Sequence, residues 1–124
     1  MKQVLAIAVG GALGSVLRFW MSGWVAGMLG RGFPYGTLLV NVSGSLLMGF
    51  LYVVLIDKFN ASTEWRALLL IGLLGGFTTF SSFSMETFNL IEAGEILKAL
   101  GNVILSISVC LAATWLGVAV GRQI

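Results

Sequence analysis

Residues 75–87 read Gly-Gly-Phe-Thr-Thr-Phe-Ser-Ser-Phe-Ser-Met-Glu-Thr, so six hydroxyl side chains, three phenylalanines three apart and one carboxylate crowd an otherwise apolar stretch. Hydroxyl groups donate hydrogen bonds, and a phenyl ring presents a positive edge because its quadrupole puts negative charge on the faces. Together they suit a small anion. Phe80 and Phe83, edge-on, would hold such an ion loosely, and a conducting site must replace hydration yet still let go. Packing and lipid contact are the commoner uses of a phenylalanine stripe, so the pattern alone leaves both readings open.

Two further polar rows could join them. Thr37, Asn41 and Ser45 recur every four residues and so share one helix face, with Gly44 and Gly49 close by. The Asn41 carboxamide brings two N–H donors and a carbonyl, available to an ion or to hydrogen bonds between helices. Asn102, Ser106, Cys110 and Thr114 repeat the spacing near the C-terminus. Two such rows suggest a shared track, although serine and threonine also satisfy themselves on the carbonyl one turn back.

The elements that must position these groups are membrane helices. The 124 residues are 58% hydrophobic and 10% charged, against roughly 45–50% and about 25% in soluble domains. A spanning helix needs about 20 apolar residues, and four segments qualify: 4–29, 35–56, 67–91 and 99–120. They make an all-α membrane protein with a single membrane domain over residues 1–124. Residues 4–29 read as a retained helix, since the apolar run continues through Arg18 and tryptophans.

The third span cannot be an ordinary rod. In one continuous helix Phe77, Phe80 and Phe83 form a stripe, while Thr78, Thr79, Ser81, Ser82 and Ser84 spread around the remaining circumference and partly meet lipid. Gly75-Gly76 followed by two threonines predicts a break near 75–81, because glycine admits unusual dihedrals and hydroxyls satisfy freed backbone groups. Such a break leaves carbonyls at the end of the first half, which attract cations, and N–H groups at the start of the second, which attract anions.

Charges are few and informative. Arg18 lies roughly 22 Å into the first span, where a basic side chain costs about 2.5–3.5 kcal/mol. It must face protein or water, or snorkel to the far interface. Glu86 is placed near that far interface. Lys2, Lys58, Arg66 and Arg122 fall on one side, and Arg31 and Lys98 on the other, joined by Arg18 if it reaches that interface. Loop Lys/Arg bias sets orientation, so a chain this evenly loaded can insert both ways, which makes an antiparallel homodimer reasonable. The pairs Gly10/Gly14, Gly23/Gly27, Gly72/Gly76 and Gly117/Gly121 let helix backbones approach, within a bundle or between subunits.

Several function classes drop out. With no histidine and one cysteine, Cys110, one copy assembles neither a disulfide framework nor a Cys/His metal cluster. The seven basic residues are scattered, so nucleic acid is not a partner. Glu86 beside a serine offers no defined nucleophile and base, so no enzyme is expected.

The segments GGALGSVLRF (10–19), GTLLVNVSGSLLMGF (36–50) and GLLGGFTTFSSFSMET (72–87) together resemble the Fluc (CrcB-type) fluoride channels, small four-span bacterial proteins. The resemblance covers the whole chain. It implies a dual-topology, antiparallel homodimer in the bacterial inner membrane, with two pores that pass fluoride out of the cell and so reduce its toxicity. On that pattern Asn41 donates to the ion, Phe80 and Phe83 form its aromatic box, and Ser81, Ser82 and Glu86 extend the polar track. Arg18 would serve the vestibule, with Thr37, Ser106 and Thr114 as further pore residues. It also implies a structural sodium ion at the dimer centre, held by the backbone carbonyls of Gly75 and Thr78.

Two rival readings share the four-span outline. A small proton-coupled multidrug exporter needs a buried acid at the midplane, and the first span has none. A non-transporting membrane scaffold needs only the glycine faces.

Overall fold

The computed structural model describes residues 1–124. Helix α1 runs Lys2–Leu29 and α2 runs Tyr35–Lys58. Helix α3 covers residues 63–77, α4 runs Phe80–Glu92 and α5 runs Ile96–Gln123. Four helical runs are long and apolar enough to cross a bilayer, with α3 and α4 together forming the third. All four expected spans are present, each a few residues longer than its apolar core. At 28 residues, α1 and α5 reach about 42 Å, more than the ~30 Å hydrocarbon layer, so their ends overhang it or the helices tilt.

Local chemistry explains the ends. Pro34, the only proline, sits at the N-cap of α2, where no helical N–H is required of it. Gly30 and Gly94 close α1 and α4 with φ of 87° and 78°, and their amides donate to Ala26 O at 2.8 Å and Ile91 O at 3.0 Å. These are left-handed terminations that side-chain-bearing residues resist. Ser62 starts α3 by accepting from the Trp65 amide at 3.4 Å. The last turns of α2, Val53–Lys58, and the middle of α3, Ala67–Leu74, are wound as π-helix.

The helices pack in two close pairs. On α1, a β-carbon at Gly10 or Gly14 would collide with the carbonyls of Leu68 and Leu73 on α3, and one at Gly76 would lie 2.8 Å from Gly11 O. Helix α2 meets α5 in the same way, since a β-carbon at Gly49 would strike Thr114 O and one at Gly117 would strike Leu46 O. Backbone-to-backbone contact supplies the dispersion that lipid does not. Three of the four glycine pairs are therefore used within the chain's own bundle. Gly23 and Gly27 instead face open space.

Only 20 of the 124 residues are buried, and large side chains such as Phe19, Trp24, Leu97 and Trp115 point outward. In water such a surface would aggregate, and a bilayer is what covers most of it.

Candidate functional site

The third span is interrupted where the sequence places the break, and the interruption is two residues long. Thr78 (φ −83°, ψ 158°) and Thr79 (φ −150°, ψ 124°) are extended. Regular bonding stops where the Thr78 amide and hydroxyl both donate to Leu74 O, at 3.0 and 3.1 Å. Gly75 and Gly76 remain helical, so the expectation that glycine dihedrals create the break is corrected. The extended pair is β-branched, which suits a strand-like backbone. Gly76 is there for its contact with α1.

Opening the backbone at membrane depth strands polar groups that each cost several kcal/mol if unpaired. Asn41 answers this from α2. Its Nδ2 donates to Thr79 O at 2.8 Å, and its Oδ1 accepts from the Thr79 amide at 2.7 Å. One carboxamide thus pairs with both backbone groups of an extended residue and keeps one Nδ2 hydrogen free. Thr79 Oγ1 accepts from the Ser82 amide at 3.2 Å, capping α4. Arg18 Nε donates to Gly76 O at 3.1 Å, so its charge is turned onto the end of α3 rather than drawn out to the interface. A cation beside helix C-terminal carbonyls is favourably placed.

Beside the break lies a groove of about 320 Å³ between α2, α4 and α5. Asn41, Phe80, Phe83, Ser106 and Thr114 all line it, together with Ser45 and Cys110 of the two polar rows. The Phe80 and Phe83 rings lie 5.3 Å apart, tilted by 53°. Phe80 is 77% exposed, so this wall of the groove is uncovered by the rest of the chain. Thr114 donates across to Ser45 O at 3.3 Å, tying the α2 and α5 rows together.

Thr37 and Glu86 form a second station one helical turn along. Thr37 Oγ1 donates to Glu86 Oε2 at 3.0 Å, while Glu86 Oε1 is buried without a hydrogen-bond partner. Both residues line a larger cavity of about 660 Å³, bounded by α1, the 30–34 loop and α4. Ser81 and Ser82 line neither space; the Ser81 hydroxyl lies 3.3 Å from Thr79 Oγ1.

Some of the arrangement escapes sequence reading. The role of Thr79 is invisible because its partner lies 38 residues away. Met48 joins the groove wall but looks like any core methionine. Asn102, 2% exposed, donates to Thr87 Oγ1 at 2.9 Å and accepts from Ser106 at 3.4 Å, so it braces α4 on α5. The regular spacing of its row was the available signal.

Residues 5–118 match the family described as CrcB-like protein, Camphor Resistance (CrcB). A Coxiella burnetii (strain Dugway 5J108-111) protein called fluoride-specific ion channel FluC is 52% identical over 98% of this chain and 99% of its own length. A protein of the same name from Geobacter metallireducens is 49% identical over the full length of both. A third, from Methylococcus capsulatus, is 54% identical over 98% of this chain, which spans only 54% of that protein. Over nearly its whole length the chain belongs to the CrcB-like family.

Proposed function

We propose that this protein is a passive, fluoride-selective channel of the bacterial inner membrane, which lets accumulated fluoride leave the cell. The observation that carries the reading is the groove in which a mid-membrane break, an amide with a free N–H and two phenylalanine rings lie together. Hydrogen donors and positive edges replace an anion's water without adding a fixed charge that would trap it. The full-length relatives bear the name of a fluoride-specific ion channel, which favours fluoride over other small anions.

A second copy would complete the pathway. Phe80 projects from the subunit, so its ring edge is free to close a pore with an antiparallel partner, and two copies give two pores. At the centre, the Gly75 and Thr78 carbonyls lack their next-turn donors: the Thr79 amide goes to Asn41, and the Ser82 amide goes to the Thr79 hydroxyl. Uncommitted oxygens of this kind fit a hard cation such as sodium. When bound, the ion would neutralise their partial charge and hold the breaks in place. Along the pore, Asn41, Phe80 and Phe83 contact fluoride, with Thr37, Glu86, Ser106 and Thr114 extending the track and Ser81, Ser82 and Arg18 flanking it.

The test is anion efflux from liposomes holding the purified protein, with no proton gradient. Fluoride leaves and chloride does not. Equal retention of both anions overturns the reading, and strict dependence of fluoride efflux on a proton gradient would favour the proton-coupled exporter.

A further inference from the structure

The groove and the larger cavity follow one another along the same two helices. Asn41 and Phe83 line the first, and Thr37 and Glu86 line the second. Thr37 is one turn from Asn41 on α2, and Glu86 is one turn from Phe83 on α4, a step of about 5 Å along each axis. The hydrogen bond from Thr37 to Glu86 stands between the two spaces.

The charges around the larger cavity are unequal in their commitments. Glu86 and Glu95 are its acidic lining residues. Lys98 offsets Glu95 at 3.4 Å and donates to Gly32 O at 3.3 Å, which ties down the loop carrying Arg31. Elsewhere Arg18 is spent on Gly76 O, Lys58 on Arg122 O and Arg66 on Asn60. Arg31 makes no hydrogen bond or ion pair and is the one arginine that lines the cavity.

On the fluoride-channel reading, we propose that this cavity is the mouth of the pathway and that Arg31 sets the anion concentration within it. Without Arg31 the mouth would be net negative, with Glu86 uncompensated, and would repel the ion it must admit. With Arg31 in place the lining is balanced and an uncommitted guanidinium faces the entering anion. A charged, low-dielectric cleft changes local ion concentration and entry rates by roughly tenfold or more.

The experiment measures initial fluoride efflux from liposomes holding the full chain, in impermeant salt at low and high ionic strength, where the screening length is about 30 Å near 0.01 M and about 3 Å near 1 M. At low salt, Arg31→Ala slows efflux roughly tenfold, Arg31→Glu slows it further and Arg31→Lys matches wild type. At high salt the variants converge. Wild-type rates for Arg31→Ala at low salt overturn the proposal, as does an equal slowing of Arg31→Ala and Arg31→Lys at every ionic strength, because that would mark a structural role for the loop. A wild-type protein that passes no fluoride would instead overturn the functional reading on which the proposal rests.

Discussion

Helix α5 and the α3–α4 run carry similar polar loads, yet α5 is unbroken over 28 residues while its counterpart opens at Thr78 and Thr79. In α5 the polar residues other than Ser108 recur every fourth position from Asn102 to Thr114, so they occupy one face and leave the backbone ladder alone. Their hydroxyls and amides find acceptors nearby: Ser106 on Asn102, Thr114 on Ser45 O, Ser108 on Ile104 O. In the third span the polar residues are adjacent, no single face holds them, and two β-branched threonines take extended geometry. The break persists because another helix delivers a side chain that mimics a strand partner. Spacing thus decides whether polarity decorates a membrane helix or opens it, and a distant residue decides whether the opening is tolerated.

Replacing Asn41 attacks that tolerance and carries the largest expected effect. In Asn41→Asp the Thr79 amide keeps an acceptor, but Thr79 O loses its donor and a negative charge enters the groove beside the proposed ion path. Fluoride efflux should fall to the level of protein-free liposomes while the purified protein still elutes as one assembled species. Retained efflux would remove Asn41 from the pathway and reduce it to a packing residue.

Phe80→Ile comes next. It keeps bulk and removes the ring edge, worth roughly 0.5–1.5 kcal/mol in aromatic contacts. Efflux should slow by about tenfold, and because Phe80 is 77% exposed, the packing within the chain should not suffer. An unchanged rate would mean that hydrogen donors alone strip the anion's water.

Much of this was legible. Four apolar runs predict four spans, and crowded hydroxyls after Gly75-Gly76 predict the break to within three residues. The four-residue rows predict the groove wall, because a helix's periodicity is local information. Glycine dihedrals are not the reason for the break, since Gly75 and Gly76 stay helical and Gly76 serves close contact with α1. The destination of Arg18 is not local information either, because whether it snorkels or turns inward depends on a carbonyl 58 residues away. Periodicity places a residue on a face, but it does not say what stands opposite that face.

The finest test deletes one hydroxyl from each region. Thr79 Oγ1 satisfies the Ser82 amide at the start of α4, so Thr79→Ala removes a cap and should cost about 0.5–2 kcal/mol, read as a lower thermal midpoint in detergent. Ser108 Oγ donates at 2.6 Å to Ile104 O, a carbonyl inside an intact helix that has a backbone donor as well, and such back-bonding contributes little or bends the helix slightly. Ser108→Ala should therefore stay within about 0.5 kcal/mol of wild type and leave efflux unchanged. The two substitutions remove the same atom from the same kind of apolar run. If they prove equally costly, the open backbone is not what makes the third-span hydroxyls matter, and the contrast between the two helices reduces to composition.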